Sequence, residues 1–133
     1  MLPALAAAQM APAPSKDKPT LPSKAYSFED LPEKVSGQNR SRAVFDGKNH
    51  SGIPLELHIT ELGPGQAPHA PHRHVHEEIV MLRSGLLDVT IEGAVTRVTA
   101  GSVVYANSND LHGWKNPGPD PARYFVIAIG PKG

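Results

Sequence analysis

The sequence predicts an all-β protein built as a small antiparallel sandwich or barrel. Short apolar or alternating segments, separated by Gly, Pro and Asn, recur along most of the chain. No stretch combines the 3.6-residue apolar period of an amphipathic helix with capping residues at its ends. The 133 residues are enough for about one domain, and the sequence contains no internal repeat. We therefore expect one β-domain behind an N-terminal leader.

Eight segments have the composition and the flanking turn residues of strands. Within residues 54–62, Leu55, Leu57 and Ile59 alternate with polar side chains, which indicates a strand with one solvated face. Residues 78–82 and 123–129 are apolar on both faces, so a neighbouring sheet or a second subunit should cover each side. Residues 26–34 are compatible with a first strand or with a loop. The eight predicted strands are 41–46, 54–62, 78–83, 86–92, 95–100, 102–106, 112–116 and 123–129.

The N-terminal segment divides into two parts by composition. Residues 1–8 are apolar and end in small residues, which predicts the remnant of a signal peptide; the alternative is an Ala/Pro-rich leader, because no Lys or Arg precedes Lys16. The composition of residues 9–24 predicts a Pro-rich linker, and the folded domain is predicted over 25–133. A periplasmic or secreted location is expected, with the cytoplasm as the alternative. The apolar stretch is far shorter than the roughly 20 residues of a membrane span.

Composition excludes several classes of function. Thirteen basic and thirteen acidic residues give no formal net charge, so the basic excess of a nucleic-acid-binding protein is missing. The chain has no cysteine, which excludes thiolate zinc sites, iron–sulfur clusters and cysteine nucleophiles. No G-x-S-x-G, G-x-G-x-x-G or P-loop motif is present. Any metal must therefore be bound through nitrogen and oxygen.

Four of the seven histidines lie between residues 69 and 76, and two glutamates follow directly. On one unbroken strand, His72 and Glu78 would lie about 20 Å apart, too far to share an ion. A turn within residues 75–78 would instead return Glu78 on the next strand, facing His72 and His74. Two imidazoles and one carboxylate suit Fe(II), Mn(II), Zn(II), Ni(II) or Cu(II) rather than Ca(II) or Mg(II). A further histidine, His112, is available on a later strand.

Two stretches carry a family resemblance. His72, His74, Glu78 and Gly85 follow the first cupin motif, a Gly, H-x-H, three residues, Glu, six residues and Gly. Gly101, His112 and Asn116 keep the register of the second motif, a Gly, five residues, P-x-G, two residues, His, three residues and Asn. The chain thus resembles small single-domain microbial cupins (cupin type 2 conserved barrel) over roughly residues 41–130.

The resemblance has three departures. Asn107 and Asn109 stand where the second motif has Pro and Gly, and Gly65 lies one residue too far from His72. Asn tolerates a positive φ better than most residues, so Asn109 can replace the turn glycine. These differences affect the turn before His112 more than the ligand itself.

The resemblance implies a double-stranded β-helix, a jelly-roll-like cupin barrel, that is commonly a homodimer. It also implies that His72, His74, Glu78 and His112 bind one divalent transition metal (Fe, Mn, Zn, Ni or Cu) inside the barrel. The alternatives are a polar surface tract for the first three residues and a backbone-bonded strand-end histidine for His112.

Other residues are expected to have supporting roles. His69 and His76 fall outside the ligand register, and exposed or supporting positions around the ligands are expected for both. Val80 and Leu82 share the parity of Glu78, and Trp114 shares that of His112, so all three are candidates to line the pocket. Core packing is the alternative for each. Ordinary surface or strand positions are expected for the two histidines without a partner pattern, His50 and His58.

Two functions from different classes remain open. One is a metal-dependent enzyme, dioxygenase- or isomerase-like, that acts on a small oxygenated molecule. The alternative is a non-catalytic module that binds a metal or a small ligand. No catalytic acid or base apart from the ligands is assigned, and the expected partners are a small molecule and a second copy of the chain, not nucleic acid. The resemblance does not choose between the functions, because cupins have many different activities.

Overall fold

The computed structural model describes residues 18–132, which form nine strands and one short 3-10 turn at Phe28–Asp30. The predicted signal-peptide remnant, residues 1–8, and residues 9–17 of the predicted linker lie outside the described residues. No helix in the described part of the chain is long and apolar enough to cross a membrane. The strands are β1 (Glu33–Ser36), β2 (Asn39–Lys48), β3 (Pro54–Leu62), β4 (Glu77–Ser84), β5 (Leu86–Ile91), β6 (Ala94–Thr99), β7 (Val103–Ala106), β8 (His112–Lys115) and β9 (Ala122–Ile129).

The strands form two antiparallel sheets, which confirms the all-β prediction. The larger sheet has the order β1-β2-β3-β9-β4-β7 and the smaller sheet the order β6-β5-β8. Every predicted strand is present, with ends within two residues of those expected. Residues 26–34, which the sequence left open, contain the 3-10 turn and the start of β1.

The hydrophobic core is built from both sheets. Alternate residues of β4 and β9 are almost fully buried, with Val80, Tyr124 and Val126 each 1% exposed. They belong to one cluster with Leu87 of β5 and Trp114 of β8. The core therefore lies between the two sheets, as the strand periodicity requires.

Gly85 links the two sheets. It follows β4 of the larger sheet and precedes β5 of the smaller sheet. Its φ is +87°, and a Cβ atom there would lie 2.5 Å from the carbonyl oxygen of Pro121. Both the left-handed backbone and the close approach require glycine, which explains this motif position.

The described part of the predicted linker is paired with β2. Thr20 forms a bridge with Lys48, and hydrogen bonds join Leu21 N–H to the Lys48 carbonyl and Lys48 N–H to the Pro19 carbonyl. Gly47 lies beneath this segment, where a Cβ atom would be 2.6 Å from the Pro19 oxygen. Ordered backbone contacts thus begin before Ala25, and they need glycine at position 47.

Candidate metal centre

The candidate centre lies where the two sheets meet. His72 N–H and His112 N–H each donate to the other residue's carbonyl at 3.0 Å, which attaches the histidine segment to β8 of the smaller sheet. The chain then bends at Val75 and His76, and Glu78 follows as the second residue of β4 in the larger sheet. The predicted turn before Glu78 is confirmed, although residues 71–76 form a single bridge rather than a regular strand.

The four predicted ligands come together from these three parts of the chain. Glu78 Oε1 lies 3.0 Å from His112 Nε2 and 3.6 Å from His74 Nε2. The ligand atoms of His72, His74 and His112 lie within 4.8 Å of one another. Bonds of about 2.1 Å to one ion place neighbouring donor atoms about 3.0 Å apart at right angles and about 3.4 Å apart at tetrahedral angles. The carboxylate therefore has the spacing to these two imidazoles that a shared ion requires.

Backbone carbonyls orient two of the imidazoles. His74 Nδ1–H donates to the His76 carbonyl at 2.8 Å, and His112 Nδ1–H donates to the Asp110 carbonyl at 2.9 Å. These acceptors assign the proton to Nδ1 and leave Nε2 of both rings directed into the centre.

Two buried nitrogens indicate what the centre can hold. Nε2 of His72 and Nε2 of His74 are buried and have no hydrogen-bond partner among residues 18–132. A buried polar atom without a partner is costly, and a bound cation would satisfy a nitrogen lone pair. The residues present therefore fit a divalent metal ion.

Burial also sets the charge of His72. It lowers the pKa of His72 below the ordinary 6.5, and the neighbouring His69, His74 and His112 lower it further, while Glu78 opposes them. An imidazole must be neutral to bind a metal. His72 is therefore in its ligand form at neutral pH.

The Cupin domain family matches residues 58–128, more than half of the chain. The chain belongs to the cupin family. No curated protein matches this chain. Many solved structures resemble this cupin, among them an RmlC-like cupin from Shewanella frigidimarina, with a TM-score of 0.67 and 20% identity over 82% of this chain and 93% of that one. The polyketide cyclase RemF from Streptomyces resistomycificus has a TM-score of 0.68 and 17% identity over 83% and 81% of the two chains. A predicted oxalate decarboxylase from Thermotoga maritima has a TM-score of 0.66 and 16% identity over 81% and 100%. At these identities the solved structures show the barrel fold.

The atypical turn before His112 of this cupin is held by polar contacts. Asn109 has a φ of 65°, which confirms that it occupies the position of the usual glycine. Its N–H donates to the His74 carbonyl at 2.8 Å, and its own carbonyl accepts from Arg73 at 2.8 Å. Arg73 also pairs with Glu92 at 2.8 Å, and Glu92 accepts the Leu111 N–H at 2.7 Å. The turn is thereby tied directly to the histidine segment.

Asn116, the last residue of the second motif, joins the end of β3 to the loop between β8 and β9 through its side chain. Its side chain is fully buried, and Nδ2 donates to the carbonyls of Leu62 and Gly63 at 3.1 Å and of Asp120 at 2.7 Å. Oδ1 accepts the Gly118 N–H at 2.9 Å. Asn116 therefore fixes the end of β3 relative to the β8–β9 loop.

His69 and His76 differ in their positions. His69 is exposed, and its ring stacks on His72 at a centroid distance of 4.0 Å. His76 has a side chain only 14% exposed, and its ring stacks on His74 at 3.7 Å. The exposed alternative expected for His76 is thus wrong, because the bend at residues 75–76 turns this ring inward. Strand parity could not predict this position, because residues 75–76 form a bend and belong to no strand.

The candidate pocket residues all lie in the core. Val80, Leu82 and Trp114 are 1%, 3% and 6% exposed. Trp114 is beside the centre, with its ring centroid 6.1 Å from that of His112, and its Nε1–H donates to the Tyr124 hydroxyl at 2.8 Å. Burial raises the pKa of Tyr124 to about 12, so this hydroxyl stays protonated. The core-packing alternative thus holds for Val80 and Leu82, and Trp114 packs in the core beside the centre.

A second histidine–glutamate pair lies on β3. His58 Nδ1 is 2.9 Å from Glu56 Oε2, and the side chains are 33% and 21% exposed. Neither residue belongs to the groups of metal-capable side chains found among residues 18–132. The pair is therefore a useful comparison for the candidate centre.

Proposed function

We propose that this cupin is a metal-dependent enzyme acting on a small oxygenated molecule. His72, His74, Glu78 and His112 would bind one divalent transition ion, Fe, Mn, Zn, Ni or Cu. The observation that carries the proposal is the pair of buried, unpartnered Nε2 atoms on His72 and His74. They lie in the same cluster as a histidine and a glutamate whose ligand atoms are 3.0 Å apart.

The chemistry of the donor set supports a reactive centre. Three neutral imidazoles and one carboxylate leave a divalent ion with a residual positive charge and with open coordination positions. When bound, such an ion supplies Lewis acidity toward an oxygen atom of the substrate. The chain's own contribution is orientation: the carbonyls of His76 and Asp110 fix the ligand rings, and Trp114 limits water from the core side.

The similar structures support the choice of substrate class. One is named as a polyketide cyclase and another as a predicted oxalate decarboxylase, and both names refer to oxygen-rich organic molecules. The proposal for this chain is accordingly a small molecule with carbonyl, carboxylate or hydroxyl groups that can bind a metal.

Metal retention is the first test. The double variant His74→Ala, Glu78→Gln should lose the metal that the wild-type protein retains, as measured by elemental analysis after gel filtration. The matched control is Glu56→Gln, His58→Ala, which removes the other histidine–glutamate pair and should retain the metal. Equal retention by the His74/Glu78 variant and the wild type would refute the ligand assignment.

Turnover is the second test. Fe(II)- and Mn(II)-loaded samples should convert at least one member of a panel of small oxo- and hydroxy-acids, followed by oxygen uptake and by chromatography of products. Stoichiometric metal without turnover on a broad panel would count against the enzyme and favour the non-catalytic binding module.

We also propose a homodimer that uses the outer face of the larger sheet. On β7, an edge strand, Val103 and Tyr105 are 64% and 54% exposed, and they pair with Met81 and Ile79 of β4. A contiguous apolar patch beside an open strand edge favours association with a second copy. Val103→Lys should convert a dimer to a monomer in light scattering, whereas Val95→Lys, at an exposed valine of the other sheet, should not. A wild-type monomer at all concentrations would contradict the dimer.

A further inference from the structure

The two carboxylate oxygens of Glu78 face different histidines. Oε1 lies 3.6 Å from His74 Nε2, and Oε2 lies 3.7 Å from His76 Nε2. The rings of His74 and His76 are parallel within 2°, with centroids 3.7 Å apart. The stacked pair therefore presents one imidazole edge to each oxygen of the same carboxylate.

His76 is badly placed to be a further ligand of the ion that His74 binds. The lone pair of an imidazole nitrogen lies in the plane of its ring. The ligand atoms of His74, His76 and Glu78 lie within 4.8 Å of one another, but two parallel rings with centroids 3.7 Å apart keep their lone pairs in separate planes, so both cannot meet one ion at about 2.1 Å without a rotation. A hydrogen bond to Glu78 requires no such convergence.

The surroundings of His76 favour a proton on the nitrogen that faces Glu78. Nδ1 of His76 is buried and has no partner among the described residues. A proton on Nδ1 would be a buried donor without an acceptor, whereas a proton on Nε2 points toward Oε2.

We propose that His76 is a positioning residue of the metal centre, whose Nε2–H holds Oε2 of Glu78 so that Oε1 alone faces the ion. The inference rests on the proposed metal site and adds to it a residue outside the family's ligand motif. The present 3.7 Å is longer than a hydrogen bond, and contacts of this kind commonly shorten when a site is occupied.

Two substitutions separate the hydrogen bond from the ring stack. His76→Phe keeps a flat ring on His74 and removes the donor; we expect Zn(II) affinity, measured by calorimetry, to fall roughly 10- to 100-fold. His76→Gln removes the ring and keeps an N–H donor, so its affinity should stay within a few-fold of wild type. His69→Phe is the matched control, because His69 stacks on His72 from the exposed side and should have little effect.

An infrared readout reports on Glu78 itself. The separation between the antisymmetric and symmetric carboxylate stretches narrows when a carboxylate becomes bidentate. Difference spectra of Zn(II)-loaded against metal-free protein should show this narrowing in His76→Phe and not in wild type or His76→Gln. Glu78→Gln identifies the bands.

The outcomes distinguish the inference from the function on which it rests. If the wild-type protein bound no metal, both the proposed metal site and the role of His76 would be refuted. A wild-type protein that binds Zn(II), with His76→Phe binding equally well, would overturn only the role of His76. Equal losses in His76→Phe and His76→Gln would overturn the hydrogen bond. Unchanged infrared bands in a weakened His76→Phe would do the same.

Discussion

Replacing Asn116 should destabilise the barrel more than any exposed polar substitution. The side chain is fully buried and contacts three carbonyls and one N–H. Because an amide has two N–H groups, one of them is shared between Leu62 and Gly63, which leaves the equivalent of three hydrogen bonds. At roughly 1 kcal/mol net for each, Asn116→Ala should lower the free energy of unfolding by about 3 kcal/mol. For a chain of this size that corresponds to roughly 10 °C in Tm.

The substitution Asn116→Asp tests the reasoning more sharply. Aspartate keeps an acceptor for the Gly118 N–H, but its carboxylate would face the three carbonyl oxygens that the amide now satisfies. It should therefore be less stable than Asn116→Ala at neutral pH. Urea unfolding followed by the fluorescence of Trp114, the only tryptophan, measures both variants. Asn107→Ala, which removes an acceptor for two exposed hydrogen bonds, serves as the comparison and should lose less stability. An Asn116→Asp protein as stable as the alanine variant would refute the assigned donor and acceptor roles.

Three further outcomes are expected. Tyr124→Phe should cost roughly 1–3 kcal/mol in urea unfolding, because it leaves the buried Trp114 N–H without its acceptor, whereas Tyr105→Phe, which removes one exposed hydrogen bond to Asn107, should cost less. The metal-free protein should lose thermal stability as pH falls below 6.5, because burial lowers the pKa values of His72 and His76 and the unfolded chain then takes up more protons; a flat Tm between pH 7 and 5 would contradict this. Zn(II) at 100 times its Kd should stabilise the fold by about 2.7 kcal/mol in the same urea assay, and no shift would contradict binding to the folded state.

The sequence predicted those parts of the fold that carry a strong hydrophobic period. β3 has the predicted bounds, because residues 55–60 alternate between apolar and polar side chains and turn residues follow Leu62. All four residues of β1 are exposed, so this strand has no apolar pattern by which it could be recognised. The predicted strand 41–46 stops before Gly47, yet β2 continues to Lys48, where Pro19 and Leu21 hydrogen-bond to it and Gly47 leaves room for them. A local hairpin with β2 forms β1, whereas contacts with the distant residues 19–21 extend β2.

The candidate site could be predicted further than most sites, because its motif fixes which residues converge. The spacing of His72, His74 and Glu78 already required a bend, and the bend is present. What the spacing could not give is the direction in which the bent residues point, since parity holds only along a regular strand. Residues 73–76 lie between the bridge at His72 and the start of β4, so the side chain of His76 follows the bend and not the strand alternation. The bend that returns Glu78 toward His74 thus places His76 against the opposite carboxylate oxygen, which makes its inward position a consequence of the ligand geometry.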